Sequence, residues 1–370
     1  MFVQEYLKSK SLDQLHDELA IEVNRHDSLP LVILNYNQID SPKTNPIVRE
    51  CRGLVLNTED YSIVARSFSR FFNWGEVADE MPLFNWANCT TQEKVDGSLV
   101  LLYHFDGEWR ANTRGSFAYG PMLNEWQANY FKLPSTFSWQ DGILRALKIN
   151  SLKELNGKLD VRLTYVLEFC SLWNKVVREY KEPCAYLLSC FEGEQEVGAQ
   201  SCELFRSLQE YTLQSAEDIQ RYVNDHPEST FEGCVVKDDG LRRWKIKNGR
   251  YLSLHRMKGN NGDNLYLPKN MIPWILGNEG DELCTYFPEV TECYHSYKAK
   301  VDSAYSQLVE LWQANHAIEN QKDFALSIVG KTPFTGVLFN LRKKGKTQTV
   351  EDLNQAWRDN GDGIVKTLFK

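Results

Sequence analysis

Long apolar runs are missing from this chain. No stretch approaches the ~18 residues that a membrane-spanning helix needs, so no membrane association is expected. The opening Met1-Phe2-Val3-Gln4-Glu5 has neither a basic segment nor an apolar core, so no signal peptide is expected. C-x-x-C pairs are absent too. The nine cysteines are odd in number and scattered, which argues against a disulfide framework or a zinc site and for reduced thiols in a cytoplasmic protein. Positive charge is in deficit: the net charge of −8 argues against a general nucleic-acid coat. Repeats and low-complexity segments are also lacking. What remains is a globular composition, 42% apolar and 25% charged over 370 residues, enough for one large domain or two ordinary ones.

The texture changes twice along the chain. Residues 11–25 read as a helix capped by Ser11, with Leu12, Leu15 and Leu19 on one side. From about 30 to 250 short β-type runs dominate: Leu31 to Leu34, Leu54 to Leu56, Leu99 to Tyr103, Tyr165 to Cys170, Tyr186 to Phe191, Cys234 to Val236 and Trp244 to Lys247. Asp106-Gly107, Asp239-Gly240 and Asn248-Gly249 mark turns between them. Helices are expected near Asp141–Leu147 and Ser215–Val223. After 255, Val301, Tyr305, Leu308 and Trp312 follow helical spacing, and Thr349 with Asp352 resembles a capping box. The expectation is an α+β body over 1–254 and a mainly α-helical domain over 255–370, with Gly259-Asn260-Asn261-Gly262 as the boundary loop.

Within this frame one motif carries chemistry. Glu93-Lys94-Val95-Asp96-Gly97-Ser98 contains K-x-D-G ahead of an apolar run. On its own the tetrapeptide is also an ordinary hairpin turn with a solvated lysine. A nucleophilic lysine that attacks a nucleoside triphosphate needs partners: a lowered pKa, cationic clamps for the phosphates, and carboxylates for a metal ion. The chain has them. Glu168 lies inside the apolar run Tyr165 to Cys170, where a carboxylate is costly unless it meets a cation, a metal or a hydroxyl. Glu232 opens the strand that contains Val235. Lys245 and Lys247 are two apart, so on a strand they share one face while Trp244 and Ile246 take the other. Between Lys237 and Lys258 the chain is locally basic, with Arg242, Arg243, Arg250 and Arg256 beside these lysines. A solvated charged face explains each segment singly; their joint order does not suit that explanation.

The order K-x-D-G, E-F within a strand, E-G-x-V and K-x-K resembles the covalent nucleotidyltransferase superfamily. The flanks Glu50-Cys51-Arg52-Gly53, Phe71-Phe72-Asn73, Asn174-Lys175-Val176-Val177 and Tyr251-Leu252-Ser253-Leu254-His255 resemble more narrowly the RNA ligase 1 family known from T-even bacteriophages. The similarity runs over about 30–260 and is faint beyond. It implies a nucleotidyltransferase (adenylation) domain of antiparallel sheets with flanking helices, followed by a mainly α-helical C-terminal domain. It also implies an ATP-dependent RNA ligase that uses Mg2+ or Mn2+ and joins 5′-phosphate and 3′-hydroxyl RNA ends through lysyl-AMP and RNA-adenylate.

By the same resemblance Lys94 is the nucleophile. Glu168 reads the ribose or assists the metal, Glu232 binds the metal, and Lys245 and Lys247 contact the α-phosphate. Arg52, Arg70, Arg114 and Tyr251 match phosphate-ordering positions. Tyr36, Phe72, Gly97, Leu188 and Val235 are candidates for the nucleotide pocket. Asp281, with Glu282, is a candidate second metal contact against the simpler reading of a solvated acidic loop. Arg70 and Arg114 stand where the phage proteins carry lysine, and Val95 where they carry an acid. His255, His295 and His316 read as structural, and Arg342 to Lys346 as either an RNA contact or a solvated loop. The expected partners are RNA ends, nicked tRNA among them, and a polynucleotide kinase/phosphatase that prepares those ends. The expected state is a monomer in the cytoplasm, the host's if the chain is phage-encoded. The alternatives are a tRNA-splicing ligase, a DNA ligase, an mRNA guanylyltransferase, or an inactive RNA-binding relative.

Overall fold

The computed structural model describes residues 1–369 except 39, 200, 201, 227–229, 250–264, 278, 279, 281, 282, 285, 286 and 344–348. Two compact units emerge: Met1–Asn124 with Phe131–Arg256, and Glu125–Tyr130 with Met257–Lys370. No described helix is long and apolar enough to cross a membrane.

The first unit is built on three sheets. Helices α1 (Phe2–Leu7), α2 (Leu12–Leu19) and α3 (Pro46–Glu50) cover a four-stranded sheet, ordered β1 (Ile21–Arg25), β2 (Leu31–Tyr36), β3 (Arg52–Asn57) and β4 (Ile63–Ala65). The helix expected over 11–25 is shorter. Ser11 caps it and Gln14 closes the capping box, but Ala20 turns left-handed at φ 52 and stops it. Ile21 and Val23 then pair with Tyr36 and Leu34. Alternation at Ile21 and Val23, with Ile21 buried, outweighs continued helical spacing.

The second sheet contains β7 (Ser98–Phe105), β8 (Glu108–Thr113), β9 (Leu163–Cys170), β10 (Cys184–Glu192) and β11 (Gln195–Glu196), in the order β11-β10-β9-β7-β8. Leu31, Ile33 and Val55 of the first sheet pack with Leu99, Leu101, Tyr103 and Val166 of the second. Full burial of each such side chain is worth about 1.5–3 kcal/mol. Helix α5 (Trp139–Leu147), capped by Ser138, covers the opposite face of the second sheet. Asp106 and Gly107, both at positive φ, form the tight β7–β8 turn.

The third sheet has the order β12 (Glu210–Tyr211), β6 (Cys89–Glu93), β13 (Gly233–Asp238), β14 (Arg243–Lys247) and β5 (Phe72–Asn73). Its apolar face packs under α6 (Ala216–Asp225). K-x-D-G therefore links β6 of the third sheet to β7 of the second, and is not the hairpin that the tetrapeptide also allows.

The second unit is helical. The short helix α4 (Glu125–Phe131) contributes Trp126 to its core; the remaining described helices begin with α7 (Pro268–Gly277) and the long α8 (Thr291–Asn315). The others are α9 (Gln321–Ile328), α10 (Thr335–Lys343), α11 (Val350–Arg358) and α12 (Gly361–Leu368). Val301, Leu308 and Trp312 are buried in its core, and Thr349 with Asp352 forms a complete capping box. The boundary loop expected at 259–262 lies outside the described residues.

Candidate active site

Lys94 leaves the end of β6, where its backbone N–H donates to Gly233 O at 2.8 Å. Its Nζ donates to Glu232 Oε2 at 2.8 Å, and Lys247 Nζ stands 2.9 Å from Glu232 Oε1. One buried carboxylate thus bridges two lysines. Only glycine fits after it: Gly233 has φ 138, and a Cβ there would lie 2.1 Å from Ile246 O. Asn248 extends the anchor, donating from its backbone to Glu232 O and from its side chain to Val223 O.

The paired lysines behave as strand geometry requires. Trp244 and Ile246 point into the core under α6, leaving Lys245 and Lys247 on the other face with Arg243. Lys245 Nζ lies 4.5 Å from the centroid of the Phe71 ring, and the Arg52 guanidinium lies 4.8 Å from Phe68 and 5.9 Å from Phe71. Arg70 stacks 4.3 Å above the Tyr36 ring, with Arg114 at 5.4 Å from it. Phe72 is buried beside Trp244 in the core of the third sheet; Phe71 is the ring that faces Lys245 and Arg52. Val235 is the register partner of Lys245, and Leu188 packs at the β10 bulge near Phe68 and Phe71. Glu168, on β9, pairs with Leu99 and Tyr186. Tyr251, Asp281, Glu282 and His255 lie outside the described residues.

The charges of the site are strongly coupled. Burial alone would lower the Lys94 pKa, but Glu232 and then Glu168 turn it upward, so Lys94 is protonated while this pair is closed. Burial alone would raise Glu232, yet Lys94 and Lys247 hold it down as a carboxylate. Burial raises Glu168 to about 7, against the pull of Lys94 and Arg52. Lys245 is driven well below its ordinary value by burial, then by Arg52, Lys94 and Lys247.

Asp96 has a different place. Its Oδ2 accepts from Val177 N at 3.0 Å and Arg178 N at 2.9 Å. Arg178 also donates to Glu93, and Asn174 Nδ2 donates to Ser98 Oγ at 3.0 Å and Phe169 O at 2.7 Å. The acid of K-x-D-G therefore fastens the segment Asn174 to Arg178 beside the lysine. A Cβ at Gly97 would lie 2.4 Å from Phe169 O. Val95 packs with Cys170, Tyr180 and Cys184, which explains an apolar residue in the motif.

Among the described residues, three buried polar atoms here meet no hydrogen-bond partner: Arg52 Nη1, Arg70 Nη1 and Asn35 Oδ1. Buried polar groups are normally satisfied, so two donors and one acceptor await a ligand with both kinds of group, as a nucleotide has. Asn35, the β2 partner of Arg52 in β3, had escaped the sequence reading. The signal was present, since it is the polar residue of Leu31-Val32-Ile33-Leu34-Asn35-Tyr36.

Sequence comparison agrees with this arrangement. An RNA ligase family model of the T4 type matches residues 50–251, more than half of the chain, and the chain belongs to that family. It is 28% identical over 322 residues to a protein of Autographa californica nuclear polyhedrosis virus described as "Putative bifunctional polynucleotide kinase/RNA ligase". The match covers 80% of this chain but only 43% of that relative's length. Among solved structures, a mutant of Naegleria gruberi RNA ligase with ATP and Mn shares 18% identity at TM-score 0.37, covering 51% of this chain and 58% of the other. An Aquifex aeolicus protein described as "Putative ATP-dependent DNA ligase" shares 12% at TM-score 0.41, covering 92% and 80%. At those scores the structural likenesses carry no functional argument.

Proposed function

We propose that this chain is an ATP-dependent RNA ligase whose adenylation domain spans 1–254, with a helical domain over 255–370, acting as a monomer on 5′-phosphate and 3′-hydroxyl RNA ends. The observation that carries the reading is the Lys94–Glu232–Lys247 bridge, set beside the Arg52 and Arg70 guanidinium groups, each with one buried Nη1 that meets no hydrogen-bond partner among the described residues.

In the first step Lys94 Nζ attacks the α-phosphate of ATP. A nitrogen–phosphorus bond forms, the bond to the β-phosphate oxygen breaks, pyrophosphate leaves, and the amine gives up a proton. Lys94 keeps that proton while Glu232 is its partner, so attack requires the carboxylate to shift toward other cations. Lys247 already holds its second oxygen. Arg52, Arg70, Arg114 and Lys245 supply positive charge for the phosphates, Arg70 and Arg114 in a fork geometry suited to their oxygens. In the second step an RNA 5′-phosphate oxygen attacks the same phosphorus, breaking the bond to Lys94. In the third the 3′-hydroxyl displaces AMP.

Among the described residues no cluster of three metal-binding side chains stands ready. Glu168 nonetheless fits a cation, because burial raises its pKa to about 7 even against the pull of Lys94 and Arg52. Glu168 and Glu232 would hold Mg2+ or Mn2+. Such an ion would supply positive charge that offsets the charge of the phosphates. The baculovirus relative is described as joining a polynucleotide kinase to an RNA ligase, which supports RNA ends prepared by a polynucleotide kinase.

The test is incubation with α-labelled ATP and magnesium. Label is expected on wild type and absent from Lys94→Ala; label retained by Lys94→Ala, or incorporation from GTP in preference to ATP, sinks the reading. End-joining of nicked tRNA stem-loops, single strands and nicked duplexes then identifies the RNA.

A further inference from the structure

All nine cysteines are free thiols, yet two of them face each other. Cys170 ends β9 and Cys184 begins β10, and the antiparallel register places them directly opposite. Opposed residues on antiparallel strands have Cα atoms roughly 4.5–5.5 Å apart, inside the roughly 4.4–6.8 Å span that a disulfide bridges. The two thiols lie close enough to interact directly, while Cys170 Sγ donates to Glu168 O at 3.8 Å. They sit in a small apolar cluster with Val95 and Tyr180, flanked by Tyr186 and Leu208.

The surroundings suit reaction at Cys184. Its thiol is pulled below the usual range, first by its interaction with Cys170, against burial, and then by Arg206 and Arg178. A thiolate is the form that oxidants attack. The surroundings of Cys170 connect the pair to catalysis. Cys170 Sγ lies 2.7 Å from the point where a Cβ at Gly97 would stand, and Cys170 shares a strand face with Glu168 two residues earlier.

We propose that Cys170 and Cys184 form a reversible disulfide that slows adenylylation of Lys94. The oxidant is a peroxide. The Cys184 thiolate attacks the peroxide O–O bond, giving a sulfenic acid and hydroxide. The Cys170 thiol then displaces the sulfenic oxygen as water, so two thiols and one hydrogen peroxide become one disulfide and two waters. Drawing the sulfurs together to bonding distance pulls on the atom packed against Gly97, and hence on the turn that carries Lys94 and on the Asp96 clamp. A thiol reductant reverses the change.

The effect on catalysis rests on the ligase reading, but the disulfide itself does not. The full chain would be titrated with hydrogen peroxide, then digested without reductant and analysed by mass spectrometry. In parallel, single-turnover labelling with α-labelled ATP would be followed before oxidation, after oxidation, and after dithiothreitol. The expected result is a 170–184 linked peptide pair, lighter by two hydrogen atoms, with labelling slowed about tenfold or more and restored by reductant. Cys184→Ser should label normally and resist peroxide, and Cys170→Ser should resist it likewise. Absence of the linked peptides overturns the proposal, as does full linkage with an unchanged labelling rate, or a Cys184→Ser protein as sensitive as wild type. Failure of the reduced wild type to label overturns the ligase reading instead, and the peptide masses still decide the disulfide.

Discussion

Replacing Glu168 with glutamine tests the electrostatics of the site through stability alone. Glu168 has its pKa raised from 4.5 to about 7 in the folded protein, chiefly by burial. Between these values the folded state binds more protons than the unfolded chain, so stability falls as pH rises through that window. The difference, about 7 minus 4.5, at ~1.36 kcal/mol per unit, sets a limit of ~3.4 kcal/mol lost above pH 7. The side chain is only partly shielded from solvent, and screening reduces the expectation to about 2 kcal/mol. Glu168→Gln removes the ionisation but keeps the shape. It should therefore be more stable than wild type by about 2 kcal/mol at pH 8, and indistinguishable near pH 4. For a unit of this size that is a rise in Tm of ~4–8 °C. Urea unfolding of both proteins across pH 4–8, with AMP labelling measured alongside, checks this. A gain in stability with a loss of labelling is the expected pairing. A difference in stability that does not change with pH, or a destabilised variant at pH 8, would refute the assignment of a strained carboxyl.

Asp96→Ala removes the acceptor of two backbone N–H groups and should cost about 3–5 kcal/mol, with segment 174–178 becoming the first site of proteolysis. Asp96→Asn keeps an acceptor oxygen and should lose less than half of that, which hydrogen exchange at Val177 and Arg178 would read. Gly97→Ala forces a methyl to within 2.4 Å of the Phe169 carbonyl. It should destabilise by about 1–3 kcal/mol and lower AMP labelling more than it lowers nucleotide affinity; normal labelling would show that the turn can yield.

The site residues that the sequence revealed were those whose chemistry is costly in place: Glu168 inside an apolar run, and Lys245 and Lys247 alternating with Trp244 and Ile246. What escaped it depends on contacts between distant parts of the chain. The Asp96 clamp spans 81 and 82 residues and the Glu93–Arg178 pair 85, and no local pattern records either. The K-x-D-G turn is equally compatible with a hairpin and with a crossing between sheets, since its residues supply only the bend. Ala20 ends a helix in a left-handed conformation that alanine seldom adopts, so the apolar spacing ran on past it. The grouping of the α4 segment with the C-terminal unit rests on Trp126, which in sequence is one more aromatic among strands.

The crossing has a mechanical consequence. Lys94 is fastened by its own backbone to β13, and its counter-ion Glu232 precedes the same strand, so nucleophile and counter-ion travel with the third sheet. Glu168 rides on β9 of the second sheet. A slide of one sheet over the other would leave the Lys94–Glu232 distance intact while changing the distance from Lys94 to Glu168. Relative displacement of the two sheets is thus a gear that acts on one carboxylate and not the other, with Val95, Asp96 and Gly97 as its axle.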